Sequence, residues 1–111
     1  MATTPEGKIK KRLDDMLKAE GVWYFSPQAG PYGRAGIPDR IAIVGGLFVG
    51  IECKADKTKH PTALQRRALE SISKAGGHSF VVFDDETIDA VRMFIRKTIH
   101  VCREEPQGGG T

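Results

Sequence analysis

A chain of 111 residues, 40% hydrophobic and 28% charged, can bury one core but not two, and it has no apolar run near the roughly 18 residues of a membrane span. Its net charge of +3 permits a polyanionic partner without demanding one, so where the charges lie matters more than their sum. Cys53 and Cys102 are far apart and lack metal-ligand spacing, which argues against a zinc site and for two free thiols; the stretch MATTPEGKIKKRL has no apolar signal core, so a cytoplasmic location is expected.

Residues 1–4 should be frayed, and Pro5, a residue favoured at the first helical position, starts a helix. Ile9, Leu13, Met16 and Leu17 recur at helical spacing and define its buried stripe. Glu6 projects from the N-terminal end of that stripe, while Lys8, Lys11 and Arg12 occupy the opposite side with Lys10 adjacent, so the acid is read inward and the bases outward. Gly21 ends the helix. Val22, Trp23, Tyr24 and Phe25 then form a short strand alternating core and surface, a better account of these aromatics than base stacking. From Ser26 to Gly36 the Pro and Gly density is that of a mobile loop, with Tyr32 and Arg34 exposed.

Next comes GIPDRIAIVGGLFVGIECK, Gly36 to Lys54. A Gly-Gly pair between apolar runs predicts a two-residue hairpin turn, so Val44 faces Leu47 and the register runs back until Asp39 sits opposite Glu52. Directly opposed side chains share one face of the sheet, and two carboxylates held there repel unless one is protonated, water intervenes or a cation sits between them. Lys54 follows Glu52 by two residues and lands on the same face. Ile41, Ile43 and Phe48 lie on the Asp39 side, and Ala42, Val44, Leu47, Val49 and Ile51 on the other, a pattern that predicts central strands covered on both faces.

A polar connector, ADKTKHP, leads to a helix from about Thr62 to Ala75 with Leu64, Ala68 and Ile72 on one stripe and Leu69 beside it; Gly76-Gly77 stops it. Gln65 points toward the sheet from its first turn. A strand from Ser79 to Phe83 follows. Asp84 or Asp85 caps a last helix with the stripe Ile88, Val91, Phe94 or Ile95, and Ile99. This gives one domain over residues 5–101 in the order αβββαβα, an α/β fold with a mixed central sheet flanked by helices, and a disordered tail at 102–111.

Two acids and a lysine on one spot suit a hard divalent cation, which takes oxygen ligands from one or two carboxylates, waters and substrate phosphates. The plainer account makes Glu52 and Lys54 a solvated edge pair and Asp39 the cap of a turn after Pro38; spacing alone does not choose between them. Glu6 and Gln65 likewise fit both a place beside the acids and helix caps, since Thr3-x-x-Glu6 and Thr62-x-x-Gln65 are both capping-box patterns. Lys8, Lys11, Arg34, Lys57, Lys59, Arg66 and Arg67 cluster near the ends of the acid-bearing elements, where phosphate contacts would add affinity without reading sequence. His60 and His78 have no partner spacing.

GIPDR, an apolar strand, a glycine turn and IECK together resemble the PD-(D/E)XK nuclease signature, and Glu6 to Ile99 is similar to the virus-type replication-repair nuclease (VRR-NUC) domain. The resemblance implies a restriction-endonuclease-like core and a Mg²⁺- or Mn²⁺-dependent DNA endonuclease, structure-selective for branched, flapped or junction DNA in replication or repair. It implies that Asp39, Glu52 and the backbone carbonyl of Cys53 hold the metal, that Lys54 is catalytic, and that Glu6 and Gln65 stand beside the site. The Cys53 thiol itself is read as buried and inert. Cutting both strands of a junction favours a homodimer; no membrane or nucleotide cofactor is expected, and a viral origin would place the protein in the host cytoplasm. The competing readings are a non-catalytic DNA-binding or assembly subunit that keeps the fold, and a sequence-specific restriction-type enzyme.

Overall fold

The computed structural model describes residues 3–28 and 35–104. Helix α1 spans Pro5–Ala19, and strand β1, Trp23–Phe25, follows after Gly21 turns the chain out of it. Strands β2 (Arg40–Val44) and β3 (Leu47–Cys53) make the hairpin, then come helix α2 (Ala63–Lys74), strand β4 (His78–Val82) and helix α3 (Asp85–Glu104). The four strands form one mixed sheet in the order β1-β2-β3-β4, antiparallel except for the β3–β4 pair, which α2 joins as a crossover. The order αβββαβα and the layered α/β architecture are those read from the sequence.

The hairpin turn forms at Gly45 and Gly46, whose φ values of 56° and 84° are open to glycine but strained for other residues. Val44 pairs with Leu47 as expected, and the ladder runs back to Arg40 opposite Ile51. The next step of that register sets Asp39 against Glu52.

One face of the sheet is fully covered. Ile9, Leu13, Met16 and Leu17 of α1 and Ile88, Val91 and Ile95 of α3 close over Ala42, Val44, Val49, Ile51, Cys53 and Val82. At about 25 cal/mol per Å² of apolar surface removed from water, this layer supplies most of the driving force for folding. The other face departs from expectation: α2 packs over β3 and β4, leaving Ile43, Phe48, Trp23 and Phe25 exposed. Leu64, placed on the buried stripe by its spacing, is also exposed, in the first turn of α2. An apolar groove of about 570 Å³ runs between this bare surface and α2, past Ile41, Phe48 and Ala68.

The helix ends refine the predicted boundaries. Thr4 is not frayed: it is the N-cap of α1, its hydroxyl accepting from the Gly7 amide at 3.0 Å, so the expected Thr3–Glu6 capping box does not form. Asp84 caps α3, its Oδ1 accepting from Thr87 N–H at 2.8 Å. Helix α3 runs on to Glu104, so residues 102–104 are helical and not part of the expected disordered tail. No helix of the described residues is long and apolar enough to cross a membrane.

Candidate active site

The two acids meet at the open end of the β2–β3 hairpin and are locked there by its backbone. Asp39 Oδ2 accepts from the Cys53 amide at 2.9 Å, and Glu52 Oε1 accepts from the Asp39 amide at 3.1 Å. Each carboxylate thus commits one oxygen across the hairpin and keeps the other out of the backbone network. Asp39 is therefore not a turn cap after Pro38. Nor do Glu52 and Lys54 form a solvated edge pair: β3 is an inner strand, Glu52 is 1% exposed and Lys54 12%.

The two remaining oxygens face ammonium groups at ion-pair distance. Lys54 Nζ lies 3.4 Å from Glu52 Oε2, which is buried and accepts no hydrogen bond. Lys10 Nζ lies 3.5 Å from Asp39 Oδ1 and 3.4 Å from Glu6 Oε2. Lys10 thus faces the acids and not the outward side of Lys8, Lys11 and Arg12 beside which its sequence position sets it. The signal was present, since Glu6 and Lys10 are four apart and share a helix face.

Burial first, and the Asp39 carboxylate second, push the Glu52 carboxyl up to about 7, against the pull of Lys54. Burial pulls Lys10 down, but Asp39 and Glu6 outweigh it and hold its ammonium above the ordinary value. The Cys53 thiol is buried, and burial and Asp39 push it up to about 12, which disfavours the reactive thiolate. Its peptide is pinned by β4: Lys54 N–H donates to the Val82 carbonyl at 2.9 Å, and a trans peptide then turns the Cys53 carbonyl away from β4, toward the β2 side where Asp39 lies.

Gln65 fills both roles that its position allowed. Its Oε1 accepts from Thr62 N–H at 2.8 Å, completing the capping box of α2, and from Lys54 Nζ at 2.9 Å. The cap therefore fixes the lysine. Replacing Gln65 with Ala should cost about 1 kcal/mol of stability through the lost cap and slow any lysine-dependent chemistry about tenfold. Thr62→Ala, which weakens the same cap but spares the lysine contact, should lose comparable stability with little change in rate. Denaturation and rate measurements on the two variants check this split.

Arg40 was not singled out from sequence, yet it braces Asp39. Its guanidinium donates twice to Asp14 of α1, at 2.7 and 3.0 Å, and from Nη1 to the Asp39 carbonyl at 2.8 Å and Ser26 Oγ at 3.0 Å. On the other side, Gly36 holds φ +82° where a Cβ would come within 2.6 Å of the Leu64 carbonyl of α2. The segment leading to Asp39 thus lies tight against the helix that carries Gln65.

The basic residues divide. Lys11 is committed to Asp15 at 3.0 Å, and Arg12, on the same side of α1, to Asp85 at 3.3 Å. Lys8, Lys57, Lys59, Arg66 and Arg67 are exposed, the last four on the connector and first turns of α2 next to Lys54 and Gln65. Arg34 and Tyr32 lie outside the described residues.

Among the described residues no group of three or more His, Cys, Asp or Glu side chains is placed to hold a metal together. The donor set is two carboxylates, each with an oxygen to spare, and a main-chain carbonyl. It suits Mg²⁺ or Mn²⁺, which accept one or two carboxylates and complete their shells with water and phosphate, and not zinc. Glu52 Oε2, buried without a hydrogen bond and 3.4 Å from the Lys54 ammonium, is the polar atom of this set that still lacks a directed partner.

No protein-family model and no curated protein matches the chain. Solved structures do match, among them two VRR_NUC domains. One, described as a VRR_NUC domain, is 29% identical, with a TM-score of 0.71 over 83% of this chain and 97% of that one. The other, a VRR_NUC domain protein, is 18% identical, with a TM-score of 0.67 over 87% of this chain and 92% of that one.

Proposed function

We propose that this chain, a VRR-NUC domain of nuclease fold, is a divalent-metal-dependent DNA endonuclease whose site is built on Asp39, Glu52 and Lys54. The observation that carries the reading is the pair of carboxylates clamped by backbone amides through one oxygen each, with Glu52 Oε2 buried and without a hydrogen bond. Asp39 Oδ1, Glu52 Oε2 and the Cys53 carbonyl are the atoms that would hold Mg²⁺ or Mn²⁺. A bound ion of this kind supplies Lewis-acid polarisation of a phosphate and a water of lowered pKa.

The chain's own groups do the rest. Lys54, fixed by Gln65 on one side and by Glu52 on the other, presents a positive charge where negative charge develops on a phosphodiester. Because its ammonium is already anchored, it needs little reorganisation when substrate arrives. Glu6 reaches the acids through Lys10. Lys8, Lys57, Lys59, Arg66 and Arg67 form a phosphate-contacting rim.

Branched or flapped DNA is the substrate class of this proposal, in keeping with a rim of exposed lysines and arginines that suits phosphate contacts independent of base sequence. Cutting both strands of a junction needs two sites, hence a homodimer, and the uncovered apolar surface around Trp23 and Phe48 is consistent with a partner.

The test is a panel of labelled linear, flapped, splayed and four-way substrates with Mg²⁺ or Mn²⁺, repeated with a chelator. Cleavage should require the metal, favour branched forms, and fall about 100-fold in Lys54→Met while Mn²⁺ binding persists. A wild-type protein that cuts none of them but still binds DNA would instead be a non-catalytic subunit.

A further inference from the structure

We propose that Lys10 is a tethered counter-ion: in the metal-free chain it holds the place of a cation at Asp39, and it must withdraw for a divalent ion to bind. This inference rests on the metal-site reading above.

The two lysines at the acids are held very differently. Lys54 donates a hydrogen bond of 2.9 Å to Gln65 and is almost buried, so it has no room to leave. The Lys10 ammonium sits between Glu6 Oε2 and Asp39 Oδ1 at 3.4 and 3.5 Å. Those distances are beyond a charge-assisted hydrogen bond, so it is held by charge and not by a directed contact. It is one-third exposed, at the end of a flexible stem, with a path to water.

Its position matters because Asp39 has one oxygen to offer. Oδ2 is taken by the Cys53 amide, so Oδ1, the atom facing Lys10, is the one a metal would use. A unit positive charge a few ångströms from an incoming divalent ion opposes it, while in the ion's absence the same charge relieves the crowding of Asp39 against Glu52 and Glu6. Lys10 therefore sets the metal affinity of the site, and Glu6 holds Lys10 in reach.

Titration calorimetry of the DNA-free protein with Mn²⁺ tests this. Lys10→Met should bind Mn²⁺ about three- to tenfold more tightly than wild type, the modest factor reflecting solvent screening of a part-exposed charge. Lys10→Arg, which keeps the charge, should stay within about twofold of wild type. Lys10→Gln should match Lys10→Met, which guards against a defect peculiar to one side chain. Unchanged or weaker binding in both neutral variants overturns the proposal, whereas a wild type that binds no Mn²⁺ overturns the metal site as a whole.

Discussion

Glu52→Gln should abolish cleavage, by about 1,000-fold or more, and at the same time make the metal-free protein more stable at neutral pH. The loss of activity follows from removing one of the two carboxylates proposed to hold the metal. The gain in stability follows from burial. Wild-type Glu52 has its carboxyl raised from 4.5 to about 7 in the folded chain. Between those pH values the native state holds a proton that the unfolded state has released, so stability falls as pH rises across that window. Above about pH 7 the full cost of a buried carboxylate is present, on the order of 3 kcal/mol. Gln keeps the shape and carries no charge. The difference between variant and wild type in urea denaturation with chelator should be near zero at pH 4, grow through pH 6 and level off by pH 8. Mn²⁺ should stabilise the wild type and not the variant. A variant less stable than wild type at pH 8 without metal would contradict the burial argument.

Arg40→Met should cost about 2–3 kcal/mol and slow cleavage about tenfold although Arg40 touches no candidate ligand atom of the acids. Its guanidinium bonds α1 through Asp14, the β1–β2 connector through Ser26, and the Asp39 carbonyl. Removing it leaves a half-buried Asp14 without its partner, the larger part of the loss. It also frees the backbone at Asp39, and catalytic groups displaced by even an ångström lose rate. Adding Asp14→Leu should recover much of the stability by removing the orphaned charge. It should not recover the rate, because the Asp39 carbonyl still lacks its donor. Recovery of both together would mean that Arg40 matters only for folding.

The hairpin was legible because two local rules fix it. A Gly-Gly turn sets the register, and the register sets Asp39 against Glu52 before any tertiary contact is considered. Gln65 was half legible: a capping box is a local pattern, whereas its bond to Lys54 joins elements whose approach depends on how α2 lies on the sheet. Arg40 was not legible. Its role needs the packing of α1 against the sheet, and an Arg after an Asp carries no local signature of that. The coverage of the sheet misled for a related reason. Apolar residues on both faces of β2 look like two buried faces, but one helix of 12 residues over β3 and β4 cannot also reach Ile43 and Trp23.

Trp23, the sole tryptophan, belongs to that uncovered surface and is 65% exposed. Its indole is already hydrated in the native chain, so its emission changes little on unfolding, and circular dichroism is the probe suited to the stability measurements above. The same exposure makes it a sensitive optical reporter of association. Anything that covers β1, whether a second copy or another partner, transfers the one indole out of water and shifts its emission to the blue.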